Sequence, residues 1–90
     1  MAELPQLGMV KEQIPCPSHR LAFVLKSIRN EYASFPTDLR DGVKVNLPGG
    51  WFHLRGSNTE PVMRLVAEAE NEEAARQIAA SVQAKVQALL

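Results

Sequence analysis

The sequence predicts an α+β domain: an antiparallel sheet of about four strands with two helices on one face, in the order β-α-β-β-β-α. Two segments carry apolar residues at the three-to-four spacing of a helix, and three carry them at every second position, as strands do. Proline- and glycine-containing stretches separate these segments.

Residues 1–7 hold Pro5 and no period, and read as a linker or remnant ahead of a domain that spans residues 8–90. From Met9 to Pro15, Met9, Lys11 and Gln13 alternate with Val10 and Ile14, a loosely patterned strand. Pro15 and Pro17 stop it. Ser18 is then expected to cap a helix whose Leu21, Val24, Leu25, Ile28 and Tyr32 share one side. The polar stretch Ala33 to Asp41, with Pro36 inside it, reads as a loop. Val43, Val45 and Leu47 alternate with Lys44 and Asn46 in a half-buried strand, and Pro48-Gly49-Gly50 makes the turn that ends it.

Trp51 to Arg55 forms the next strand, with Phe52 and Leu54 on one face and Trp51, His53 and Arg55 on the other. Val62 to Ala69 is the longest strand. Its Met63, Leu65, Ala67 and Ala69 face the helices, and Val62, Arg64, Val66 and Glu68 face away. Asn71 caps a terminal helix with Glu72 and Glu73 in its first turn, where negative charge suits the helix dipole. Ala75, Ile78, Ala79, Val82, Val86 and Leu89 form its apolar stripe, and Arg76, Gln77, Gln83 and Lys85 lie off it.

At 90 residues the chain is one small domain, able to bury roughly 60–65% of its unfolded surface. Ten basic and ten acidic residues cancel, so no global charge draws it to a nucleic-acid backbone or an anionic membrane. Aromatic content is low, whereas a sheet that reads RNA shows aromatics interleaved with basic residues. The lone cysteine, Cys16, has no internal disulfide partner. No apolar run approaches the ~18 residues that span a bilayer, and the amino terminus lacks the basic start and apolar stretch of a secretory signal. A cytoplasmic protein with a local binding site is expected.

That site is expected at Arg55-Gly56-Ser57-Asn58-Thr59-Glu60-Pro61. Arg55 offers a planar fork of donors, Ser57 and Thr59 carry hydroxyls, and Asn58 carries an amide on a residue that tolerates a left-handed backbone. Gly56 would let the chain turn so that main-chain N–H groups converge on one oxyanion. Pro61 would stiffen the exit by fixing its own φ and restricting Glu60. Phosphate is the ligand that suits this set.

Read on to Arg64, the same segment resembles the phosphate-binding loop in the last domain of the α-D-phosphohexomutases, the phosphomannomutase/phosphoglucomutase enzymes. The Asp-Gly-Val-Lys-Val run from Asp41 to Val45, Trp51 opening a strand, Glu68 late in the strand after the loop, and the acidic-start helix after Asn71 agree with that domain. The resemblance covers residues 8–90, and Asn58 resembles the phosphomannomutase/phosphoglucomutase branch more than the phosphoglucosamine branch. It implies a sheet-and-helix fold of the TATA-box-binding-protein type and supplies the strand order that periodicity leaves open. It also implies that three preceding domains carry a phosphoserine, a Mg2+ site and a sugar-reading loop, while this domain holds the non-reacting phosphate of a phosphosugar. None of those catalytic motifs occurs in this sequence. An excised or tail domain without mutase activity of its own is therefore expected, with a phosphosugar and the other three domains as partners. A free-standing sensor of a phosphorylated metabolite would use the same loop.

Other residues have plainer roles. Glu60 is an awkward neighbour for an anion and reads as loop support, accepting loop N–H groups or pairing with Arg64. Arg64 in turn pairs with Glu60 or Glu68, or serves as a second phosphate donor. His53 is expected as a surface residue opposite the helices, His19 as a first-turn helix residue, and Trp51 as core packing. His19, His53 and Cys16 lack metal-site spacing, so no metal ligand and no catalytic residue is assigned.

Overall fold

A computed structural model describes residues 8–57 and 59–90. The linker reading of residues 1–7 and the position of Asn58 lie outside the described residues. The elements are β1 (Gly8–Pro15), a 3-10 turn (Ser18–Arg20), α1 (Leu21–Glu31), β2 (Thr37–Asp38), β3 (Val43–Leu47), β4 (Gly50–Gly56), β5 (Val62–Ala69) and α2 (Glu72–Leu89). The strands make one antiparallel sheet in the order β1-β5-β4-β3-β2.

The sheet thus has five strands where four were expected. The extra one is β2, two residues in the stretch taken for a loop, pairing Thr37 with Val45 and Asp38 with Lys44. Asn46 N–H donates to Pro36 O at 3.0 Å and extends the ladder by one bond. Proline and polar residues hide such a strand in the sequence, but β3 would otherwise be an edge with open backbone donors and acceptors, and the two residues cover it.

Alternation in the remaining strands comes out as written in the sequence. Val43, Val45, Phe52, Leu54, Met63, Leu65 and Ala67 are buried on one face, together with Ile14 of β1. Both helices pack there: Val24 and Ile28 of α1, and Ala75, Ala79, Val82 and Val86 of α2, are buried, while Ile78 and Leu89 pack at the margin. Tyr32, just past α1, sets its ring edge-on to Phe52 at a 5.0 Å centroid distance, and its hydroxyl accepts from Lys85 Nζ of α2 at 3.0 Å. The two helices are therefore tied at the far end from the β4–β5 hairpin.

Asn71 caps α2 as expected, its Oδ1 accepting from Ala74 N–H at 2.8 Å. Ser18 does not cap α1. Arg20 N–H donates to Pro17 O at 2.9 Å and closes a 3-10 turn first, so α1 starts at Leu21 with Arg20 as its cap and no side-chain cap bond.

Candidate functional site

The β4–β5 hairpin joins two of the most tightly framed strands, because β5 is paired along its whole length to β1 on one side and is paired from Val62's neighbour Met63 to Ala69 with β4 on the other. Alternation sends the side chains of Trp51, His53 and Arg55 to the sheet face that no helix covers, along with Arg64, Val66 and Glu68. Register sets Arg55 opposite Arg64, and Arg64 opposite Gln13 of β1, in one row. The adjacent row runs Lys44, His53, Val66 and Lys11.

Two guanidinium-bearing residues directly opposite one another repel, and each has its own carboxylate. Arg55 Nη1 donates to Asp41 Oδ2 at 3.2 Å, and Arg64 Nη2 lies 3.9 Å from Glu60 Oε1. Both pairs are largely exposed, so solvent keeps each one weak. Beside the two arginines, toward β1, an open groove of about 410 Å³ is lined by Lys11, Glu12, Gln13, Arg55, Arg64, Leu65 and Val66.

Past Arg55, Gly56 is still in the ladder, opposite Met63, and its φ is not left-handed. A Cβ there would come within 2.4 Å of Leu21 Cδ2, so glycine makes room for the Leu21 side chain of α1 and is not called for by a turn. Main-chain donors are likewise arranged differently from expectation. Ser57 N–H donates to Val62 O at 3.0 Å within the hairpin, and Thr59 N–H to Ser57 Oγ at 3.2 Å. Ser57 Oγ also lies 3.4 Å from Thr59 Oγ1. The structure therefore gathers the two hydroxyls into one cluster, while those two amides serve the hairpin. Cys16 N–H donates to Pro61 O at 2.8 Å, which fixes the loop exit to the chain leaving β1.

Several residues sit elsewhere than the sequence suggested. Trp51 is on the open face and not in the core: its Nε1–H donates to Glu68 Oε1 at 3.0 Å and Lys44 Nζ stands 4.6 Å from its ring centroid. Glu68 thereby serves Trp51, leaving Arg64 to Glu60. His53 is on the open face, as expected, with Nε2 hydrogen-bonded to Asp41 O. Burial pushes the Cys16 thiol up, against a smaller opposing effect of Arg20. Among the described residues, no group of three or more His, Cys, Asp or Glu side chains is placed to hold a metal ion, and no helix is long and apolar enough to cross a membrane.

Sequence reading missed Asp41, Lys11 and Gln13. The Asp-Gly pair ahead of a strand was a signal for the first, since Gly42 adopts φ +73° and marks a tight turn. Lys11 and Gln13 reach the site only through the register of β1 on β5, which no local pattern encodes.

Residues 13–85 match the family model described as "Phosphoglucomutase/phosphomannomutase, C-terminal domain". The chain is 39% identical over 80 residues to a probable phosphoglucosamine mutase of Methanopyrus kandleri, covering 87% of this chain and 18% of that protein. It is 36% identical over 76 residues to a phosphoglucomutase/phosphomannomutase of Thermococcus kodakarensis, covering 83% and 17%. A phosphoglucosamine mutase of Methanocaldococcus jannaschii is 30% identical over 80 residues, with 84% and 18% covered. The chain thus spans about 18% of the length of the curated relatives it matches. These relatives carry the names of both branches, so similarity does not single out the one that Asn58 resembles.

Proposed function

Because this chain belongs to the phosphoglucomutase/phosphomannomutase family as its C-terminal domain, we propose that Arg55, Gly56, Ser57, Asn58 and Thr59 anchor the non-reacting phosphate of a phosphosugar. The reaction served is phosphoryl transfer between the 1- and 6-positions of a hexose. Glu60, Pro61 and Arg64 support the loop. The observation that supports this reading is an exposed Arg55, held to Asp41 through one donor, followed two residues on by the clustered hydroxyls of Ser57 and Thr59 at the same hairpin end.

Each donor has a defined task. Arg55 supplies charge and a two-pronged grip on phosphate oxygens, since Asp41 engages Nη1 only. Ser57 and Thr59 give up the bond between their hydroxyls to turn both protons to the phosphate, Asn58 adds an amide, and Gly56 keeps the loop base close to α1. Each charge-assisted bond contributes about 1.5–3 kcal/mol net. Three or four such bonds hold a phosphate but not a whole substrate. The remaining domains would supply the phosphoserine, Mg2+ and sugar contacts, and binding energy at the remote phosphate would orient the accepting hydroxyl.

Titration of the 90-residue chain with inorganic phosphate, followed by amide NMR, tests the reading. Gly56, Ser57, Asn58 and Thr59 should shift most, at about millimolar ligand because the other contacts are missing. Small shifts spread evenly over the chain would defeat it.

A further inference from the structure

Asp41 stands outside the loop in sequence yet is held against β4 by its side chain, by its carbonyl and by the glycine that follows it. Its Oδ2 accepts from Arg55 Nη1 at 3.2 Å. Its carbonyl takes the His53 ring. Next to it Gly42, at φ +73°, sits so close to β4 that a Cβ would lie 2.3 Å from Leu54 O and 2.8 Å from Arg55 Cβ. Directly after it Val43 enters the ladder opposite Leu54. The turn at residues 41–42 is therefore seated on the backbone of the arginine whose side chain it engages.

We infer that Asp41 is a positioning residue for Arg55, holding the guanidinium by one Nη1 donor so that the Nε and Nη2 edge is presented to phosphate; this rests on the phosphate-anchoring reading above. Among the described residues Asp41 is the hydrogen-bond partner of Arg55, and the Nε and Nη2 donors engage none. A long arginine side chain otherwise spreads over many rotamers, and ordering it on binding weakens the grip. Two effects of Asp41 oppose each other. Its acceptor oxygen restricts the guanidinium, which favours phosphate, while its charge repels an incoming dianion. The inference is that restriction outweighs repulsion.

Removing the acceptor and removing the charge separate the two. Inorganic phosphate is titrated into the 90-residue chain and into Asp41→Ala and Asp41→Asn, with the Arg55 Nε–H and the Gly56 to Thr59 amides as NMR readouts. Asp41→Ala loses both acceptor and charge and should bind phosphate about 3- to 10-fold more weakly. Asp41→Asn keeps an acceptor oxygen without the charge and should bind within about 2-fold of the parent, or more tightly. An Asp41→Ala chain that binds as well as the parent or better, with its β3 and β4 amides in place, overturns the role of Asp41. So does an Asp41→Asn chain as weak as Asp41→Ala. A parent whose loop amides ignore phosphate overturns instead the reading on which the role depends, and the proposal falls with it.

Discussion

Leu21, the first residue of α1, lies directly over Gly56, the last residue of β4: a Cβ added at Gly56 would be 2.4 Å from Leu21 Cδ2 and 2.9 Å from Cδ1. The helix start and the base of the β4–β5 loop are thus one packed unit. Gly56→Ala should destabilise the chain by about 1–3 kcal/mol in urea unfolding, since Leu21 must leave its place. Adding Leu21→Ala should cost less than the two single changes summed, by about 1 kcal/mol, because the obstacle is gone. Additive losses would show that the two residues do not meet.

Arg55→Ala removes an exposed side chain whose one ion pair is solvent-screened, so the stability of the chain should change by less than about 0.5 kcal/mol. Under the proposed anchoring role, the same change in a full-length phosphohexomutase carrying this domain should weaken phosphosugar binding by about 2–4 kcal/mol. Steady-state kinetics equal to those of the parent would contradict this.

Asn71 Oδ1 satisfies the Ala74 N–H at the start of the long helix. Asn71→Ala should lower stability by about 1 kcal/mol, and Asn71→Asp should retain most of it, because aspartate caps as well as asparagine. Equal urea midpoints for Asn71→Ala and the parent would remove the cap from the account.

The Arg40 side chain and backbone N–H both donate to the Asp38 carboxylate, and these bonds lower its pKa to about 2. An unfolded aspartate titrates near about 3.9. Whatever stability Asp38 contributes is therefore complete above that value and is lost as pH falls through about 2. Carboxyl NMR should place the Asp38 midpoint well below those of exposed aspartates, and Arg40→Ala should raise it part of the way back, because the backbone N–H of residue 40 still donates. An unmoved midpoint in that variant would assign the lowering to something else.

Much of this molecule is legible in its sequence because burial and periodicity are coupled. Met63, Leu65 and Ala67 had to lie on one face once β5 was extended, and Val82 and Val86 on one stripe once α2 was helical. Arg55 could be placed on the uncovered face for the same reason, and the loop residues were visible as a run of donor-bearing side chains. The two-residue strand at Thr37 was not, because two residues have no period and their pairing depends on the exposed edge of β3. Alternation put Trp51 on the face of His53 and Arg55, and its expected role in core packing gives way there to a bond with Glu68, a partner that only the pairing of β4 with β5 supplies.

Element types, the inward and outward faces of each strand and the chemical kind of the loop were set by local order along the chain. Those properties need only the geometry of a single helix or strand. Which side chains surround Arg55 was settled by long-range pairing: β1 laid Gln13 beside Arg64, the Gly42 turn brought Asp41 to Arg55 Nη1, and α1 placed Leu21 over Gly56. Contacts between residues 14 or 35 positions apart follow from register and packing, which minimise buried voids and unpaired backbone over the whole domain at once.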